Sequence, residues 1–182
     1  EPVPQLGAAA EARAPSRARI LIADDEPVAR LTLLGALRDH YDVEMAVDGR
    51  DALQKFAANR PDLMIVDVNM PELSGCEVCA QVRASETDQR TPILLISAEN
   101  DESVVVDGLA RGADDFVVKP YNQRVLLSKV RSRLQTKYAR DAVAHQREQL
   151  MELLRATTRE HFLAQGVLKN ILGRAELNHP SI

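Results

Sequence analysis

The chain alternates between short, unbroken apolar runs and longer stretches in which apolar residues recur every three or four positions. From Arg19 onward RILIAD (19–24) is followed by PVARLTLLGALRDH (27–40), and VEMAV (43–47) by GRDALQKFAANR (49–60). LMIVD (63–67) then precedes GCEVCAQVRAS (75–85), ILLIS (93–97) precedes ESVVVDGLARG (102–112), and DFVVK (115–119) precedes NQRVLLSKVRSRL (122–134). A continuous Ile, Val and Leu run is how a strand buried on both faces reads, whereas the 3.6-residue spacing marks an amphipathic helix. Strands joined through helices run parallel. The pattern therefore predicts an α/β fold, a doubly wound parallel sheet of five strands with helices on both faces. In such sheets ligands bind beyond the carboxyl ends of the strands, near a switch in strand order.

Both flanks read differently. Residues 1–18, EPVPQLGAAAEARAPSRA, are rich in Ala and Pro and carry no sustained period, the signature of a disordered leader. At the other end no Gly or Pro occurs between Asn122 and Gly166, so a helix over residues 123–175 is expected, about 80 Å long at roughly 1.5 Å per residue. Leu127, Val130, Leu134, Tyr138 and Ala142 carry an apolar stripe out of the αβ region; it thins at His145 and Gln149 and resumes at Leu150, Leu153 and Leu154, then from Phe162 to Leu172. A lone helix of that kind leaves its stripe in water and needs a partner. A parallel coiled coil with a second copy is the simplest supply. Residues 135–182 are thus expected to be a helical linker and dimerisation segment, with Gly166 and Gly173 as places where the helix could break.

Composition narrows the function. The 182 residues are 45% hydrophobic, enough for one buried domain with an appendage. A net charge of −4 gives no general drive toward nucleic acid or an anionic membrane. The tail mixes both charges, is too short for a winged helix and belongs to a chain with 3% aromatic residues, so no direct DNA binding is expected. Apolar runs stop well short of the roughly 20 residues that span a bilayer, and no secretory signal is present; no membrane association and a cytoplasmic location are expected. Cys76 and Cys79 share one helix face with no second Cys or His cluster nearby, and read as small core residues.

The strand ends carry the chemistry. Asp24 and Asp25 close the first strand, Asp67 the third, Ser97 the fourth, and Lys119 followed by Pro120 the fifth. Singly, each has a plain reading: helix caps for Asp24, Asp25 and Ser97, a turn former for Asp67, a solvated lysine for Lys119. Jointly they suit one scheme. Carboxylates held together repel one another, and a divalent cation relieves that conflict; Mg2+, with Mn2+ as an alternative, prefers oxygen ligands and bridges carboxylate to phosphate. Asp67 could then attack phosphorus as a nucleophile, with Lys119 and Ser97 taking up charge on the phosphoryl oxygens.

ILIADDE, LMIVDVNMPELSG, ILLISAEN and GADDFVVKP, in that order and spacing, resemble the receiver domain of two-component response regulators over residues 19–134. The resemblance implies the strand order 2-1-3-4-5 and phosphorylation of Asp67 by a sensor histidine kinase or phosphotransfer protein. It implies Mg2+ held by Asp24, Asp25, Asp67 and the backbone carbonyl of Asn69. Ser97, Lys119 and Phe116 would form the phosphate-binding and switch set, and Lys119-Pro120 is a candidate cis peptide. Gly75 would supply backbone freedom entering the next helix. The stretch HFLAQGVLKNILGRAELNHPSI resembles linkers that precede a sporulation-type metal-dependent serine/threonine phosphatase effector, which would lie beyond Ile182. A diguanylate cyclase effector is the alternative. So is a stand-alone receiver serving as an interaction scaffold. A phosphohydrolase of the haloacid dehalogenase kind fits less well, because Asp67-Val68-Asn69 lacks that family's second acid.

Overall fold

The computed structural model describes residues 17–86, 90–98 and 102–176, leaving aside the side chains of 102, 104 and 156–176. Five strands form one parallel sheet: β1 (Arg19–Ala23), β2 (Asp42–Ala46), β3 (Leu63–Asp67), β4 (Ile93–Ser97) and β5 (Asp115–Val118), in the order β2-β1-β3-β4-β5. They alternate with α1 (Pro27–Leu37), α2 (Gly49–Asn59), α3 (Gly75–Ser85), α4 (Glu102–Ala110) and α5 (Gln123–Glu176). The predicted doubly wound sheet is present, with the long C-terminal helix.

Period-two alternation divides the strands between two cores. Ile20, Ile22, Leu63, Ile65, Leu94 and Ile96 pack with Leu33 and Leu37 of α1 and with Leu126, Val130 and Leu134 of α5. Leu21, Met64, Val66 and Leu95 pack on the other face with Phe56 of α2 and Val78, Cys79 and Val82 of α3. Every residue of β3 and β4 is buried, which is why their runs show no polar position. The register sets Val66 beside Ala23 and Asp67 beside Ile96, so β1, β3 and β4 finish almost level.

Helix starts follow local chemistry. Ser74 and Glu77 form a reciprocal capping box on α3, and Asp48 accepts from Asp51 N at the start of α2. Pro27 opens α1, whose first turn has no side-chain cap. Gly75 lies where a Cβ would sit 2.3 Å from the carbonyl oxygen of Asp67. Its role is close approach of α3 to the end of β3 rather than the backbone freedom the sequence suggested. Positive φ occurs instead at Arg60, Glu72 and Gly112, the last at 101°.

The chain divides into two compact units, one ending at Lys137 and the other beginning at Tyr138. In the second, the described helical side chains include exposed Tyr138, Val143, Leu150, Met151, Leu153 and Leu154. The backbone of α5 remains helical through Gly166 and Gly173, as the helix expected over 123–175 requires. Residues 1–16 of the expected leader and 177–182 at the end of the linker lie outside the described residues. Among the described residues, no helix is long and apolar enough to cross a membrane.

Candidate functional site

Asp67 is the last residue of β3, and the chain turns there because Asn69 N donates to its Oδ2 at 2.8 Å, an Asx-type turn. Asp24 immediately follows β1 and does the same for the next junction, accepting from Glu26 N at 2.9 Å. Both carboxylates are almost wholly buried. Lys119, which follows β5, reaches across the sheet edge and donates to Asp67 Oδ1 at 2.6 Å and to Asp24 Oδ2 at 3.0 Å. Three of the strand-end residues singled out in the sequence thus meet at one ammonium.

The charges there do not balance. Burial pushes the Asp67 carboxyl above its ordinary range; hydrogen bonding to Lys119 pulls the other way, and Asp24 adds to the rise. Burial alone would lower Lys119, but its bonds to Asp67 and Asp24 overcome that and hold the ammonium firmly protonated. Asp25, beside them in sequence, is exposed and makes no hydrogen bond or ion pair among the described residues.

Ser97 ends β4, is buried, and its carbonyl accepts from Lys119 N at 2.7 Å. Its side chain and that of Phe116 line one small cavity between β4, α4 and β5, with Val68, Leu95, Val105 and Leu109. Phe116 is half-buried on β5, with the Lys129 ammonium 5.8 Å from its ring centre. Asn69 is exposed beside Asp67. The Lys119-Pro120 peptide is cis. Arg30 of α1 was not singled out in the sequence; it donates through Nη1 to the backbone carbonyl of Asp24.

The donors offered are oxygens, and three acids against one lysine leave two negative charges in excess, which suits a hard divalent cation. The fit is one of chemistry and charge; among the described residues no three acidic, His or Cys side chains converge as a finished metal cluster, and Lys119 stands between Asp24 and Asp67.

The model of the response regulator receiver domain matches residues 20–131. The chain belongs to that family. Over 117 residues this receiver is 44% identical to the response regulator MprA of Mycolicibacterium vanbaalenii, covering 64% of this chain and 50% of that one. It is 39% identical over 117 residues to the response regulator ArlR of Staphylococcus saprophyticus, covering 64% and 52%. The chain therefore spans about half the length of the curated relatives it matches. Among solved structures it resembles the chemotaxis response regulator CheY4 of Vibrio cholerae, with a TM-score of 0.61, 37% identity, and coverage of 65% of this chain and 99% of that one. A response regulator from Chloroflexus aurantiacus gives a TM-score of 0.63 at 33% identity, over 66% and 99%. Receivers are the signalling domains of two-component systems, phosphorylated by sensor histidine kinases, and bind Mg2+ at the phosphorylated site.

Proposed function

We propose that Asp67 of this receiver accepts a phosphoryl group from a histidine kinase or phosphotransfer protein. The single observation that carries the reading is the buried Asp67 carboxylate tied to the same ammonium as Asp24. Asp24, Asp25, Asp67 and the carbonyl of Asn69 would hold Mg2+, which when bound offsets charge on the phosphoryl oxygens and on the acids. Asp67 forms the new oxygen-phosphorus bond as the donor's phosphorus-nitrogen bond breaks and its electron pair stays on the donor imidazole. Lys119 pairs with the charge that the group brings to the site. Ser97 donates its hydroxyl to the group, and Phe116 takes up the space this frees, so that the surface of α4, β5 and α5 changes.

The receiver is read as the regulatory half of a longer protein, paired with a second copy through 135–182. Support comes from the exposed Val143, Leu150 and Leu154, spaced seven and then four residues apart on a helix. The effector is read as phosphatase-type, with a diguanylate cyclase as the alternative; the motif for that reading lies in 161–182, whose side chains fall outside those described.

Incubation with Mg2+ and acetyl phosphate, followed by intact-mass measurement, tests the acceptor. The wild-type chain is expected to gain one phosphoryl group and Asp67→Asn none; label retained on Asp67→Asn overturns the assignment. Steady release of many phosphates would favour a hydrolase instead. Truncation after Leu134 is expected to abolish most self-association in sedimentation, and equal sedimentation of both chains argues against the paired helix.

A further inference from the structure

We infer that Arg30 is a positioning residue for Asp25, fixing the peptide through which that carboxylate is presented to a divalent cation. This rests on the reading of Asp24, Asp25 and Asp67 as cation-binding acids. The backbone around Asp24 is fastened unevenly. Its N–H reaches Ala46 O at a long 3.4 Å, while both carboxylate oxygens are taken, one by Glu26 N and the other by Lys119. Its carbonyl is taken by Arg30 Nη1 at 2.5 Å. That carbonyl shares its peptide plane with the nitrogen of Asp25, so holding the oxygen fixes the direction in which Asp25 leaves the strand.

The bond from Glu26 N to Asp24 Oδ1 turns the chain on the far side of Asp25, and Arg30 fixes the carbonyl on the near side. The Asp25 side chain is exposed and unpaired among the described residues, and the first turn of α1 has no side-chain cap. Arginine suits the task better than lysine, because its planar fork donates from a pre-set direction, and the residue is half-buried on α1.

Two roles for Arg30 predict opposite signs. A guanidinium this near the acids repels a cation by its field, so a bystander arginine removed by Arg30→Met would tighten Mg2+ binding. A positioning arginine removed in the same way weakens it. The experiment is a Mg2+ titration of the full chain, followed by amide chemical shifts of residues 24–26, for wild type, Arg30→Met, Asp25→Asn and the double variant. Arg30→Met is expected to raise the Mg2+ dissociation constant about ten-fold, the lower end of what losing a ligand's supporting partner costs. In the Asp25→Asn background the same change is expected to shift it by less than about two-fold, the coupling of neighbours that act through one group. Tighter or unchanged binding in Arg30→Met overturns the inference. An equal loss with Asp25 already replaced also overturns it, because Arg30 then acts on the site or fold at large. A wild-type chain indifferent to millimolar Mg2+ overturns the cation-site reading itself.

Discussion

The two ends of the sheet each hold a cation between two acids, and they are built to opposite purposes. At the carboxyl end Lys119 bridges Asp24 and Asp67, with Asp25 unpaired nearby. At the amino end Arg83 of α3 bridges Glu86 and Asp114, but there each acid has further donors. Glu86 accepts from Thr91 N, Asp114 accepts from Ile93 N and pairs with Arg90, and Arg83 also donates to the carbonyls of Gly112 and Thr91. Two arginines face two carboxylates, and the network staples the end of α3 to the starts of β4 and β5. Only the carboxyl end is left with surplus negative charge. A site evolved for stability alone would resemble the Arg83 cluster; the Lys119 cluster is short of positive charge, which is what a cation or a phosphoryl-transfer chemistry requires.

The strongest way to break this comparison is Arg83→Met, which strands two largely buried acids at the amino end. A stability loss of about 3 kcal/mol in urea denaturation is expected, with phosphorylation of the folded protein unchanged. A loss below about 1 kcal/mol would mean the network is solvated decoration. Next is Lys119→Met, where a loss of about 2 kcal/mol without metal is expected, largely regained in Mg2+ by mass action on the folded state. The same loss with and without Mg2+ would place the charge deficit elsewhere.

The smallest effect sharpens the contrast through pH. Burial raises the folded pKa of Asp67 above 3.8, so its ionisation costs stability as pH rises through that raised value, and the cost is absent below the ordinary value. Asp67→Asn is therefore expected to melt above wild type at neutral pH without metal. The two melting curves should converge below pH 3.8. A variant that melts lower at neutral pH would show that the bond to Lys119 outweighs the burial of the charge.

Much of this was legible in the chain because burial on both faces leaves so plain a mark. After Arg19, RILIA, LMIVD and ILLIS admit no polar position before their last residues, so the polar residues that break the runs stand out. Asp67 and Lys119 could be found from that punctuation. Arg30 could not, since a side chain that serves a backbone carbonyl six residues earlier leaves no spacing to recognise. The helix over 123–175 was legible in the long stretch without Gly or Pro, and it runs on through Gly166 and Gly173 because a glycine in a helix costs only about 1 kcal/mol and does not oblige a break. The Arg83 staple escaped notice because its partners come from two separate loops, before β4 and before β5, and share no motif.

Gly75 narrows the choices open to this molecule under mutation. The oxygen of residue 67 fills the space any larger side chain would claim, so even one added methyl must lever α3 away from β3. An alanine there would press on the backbone of Asp67 itself, so it is expected to disturb the strand end from behind without altering any charged side chain.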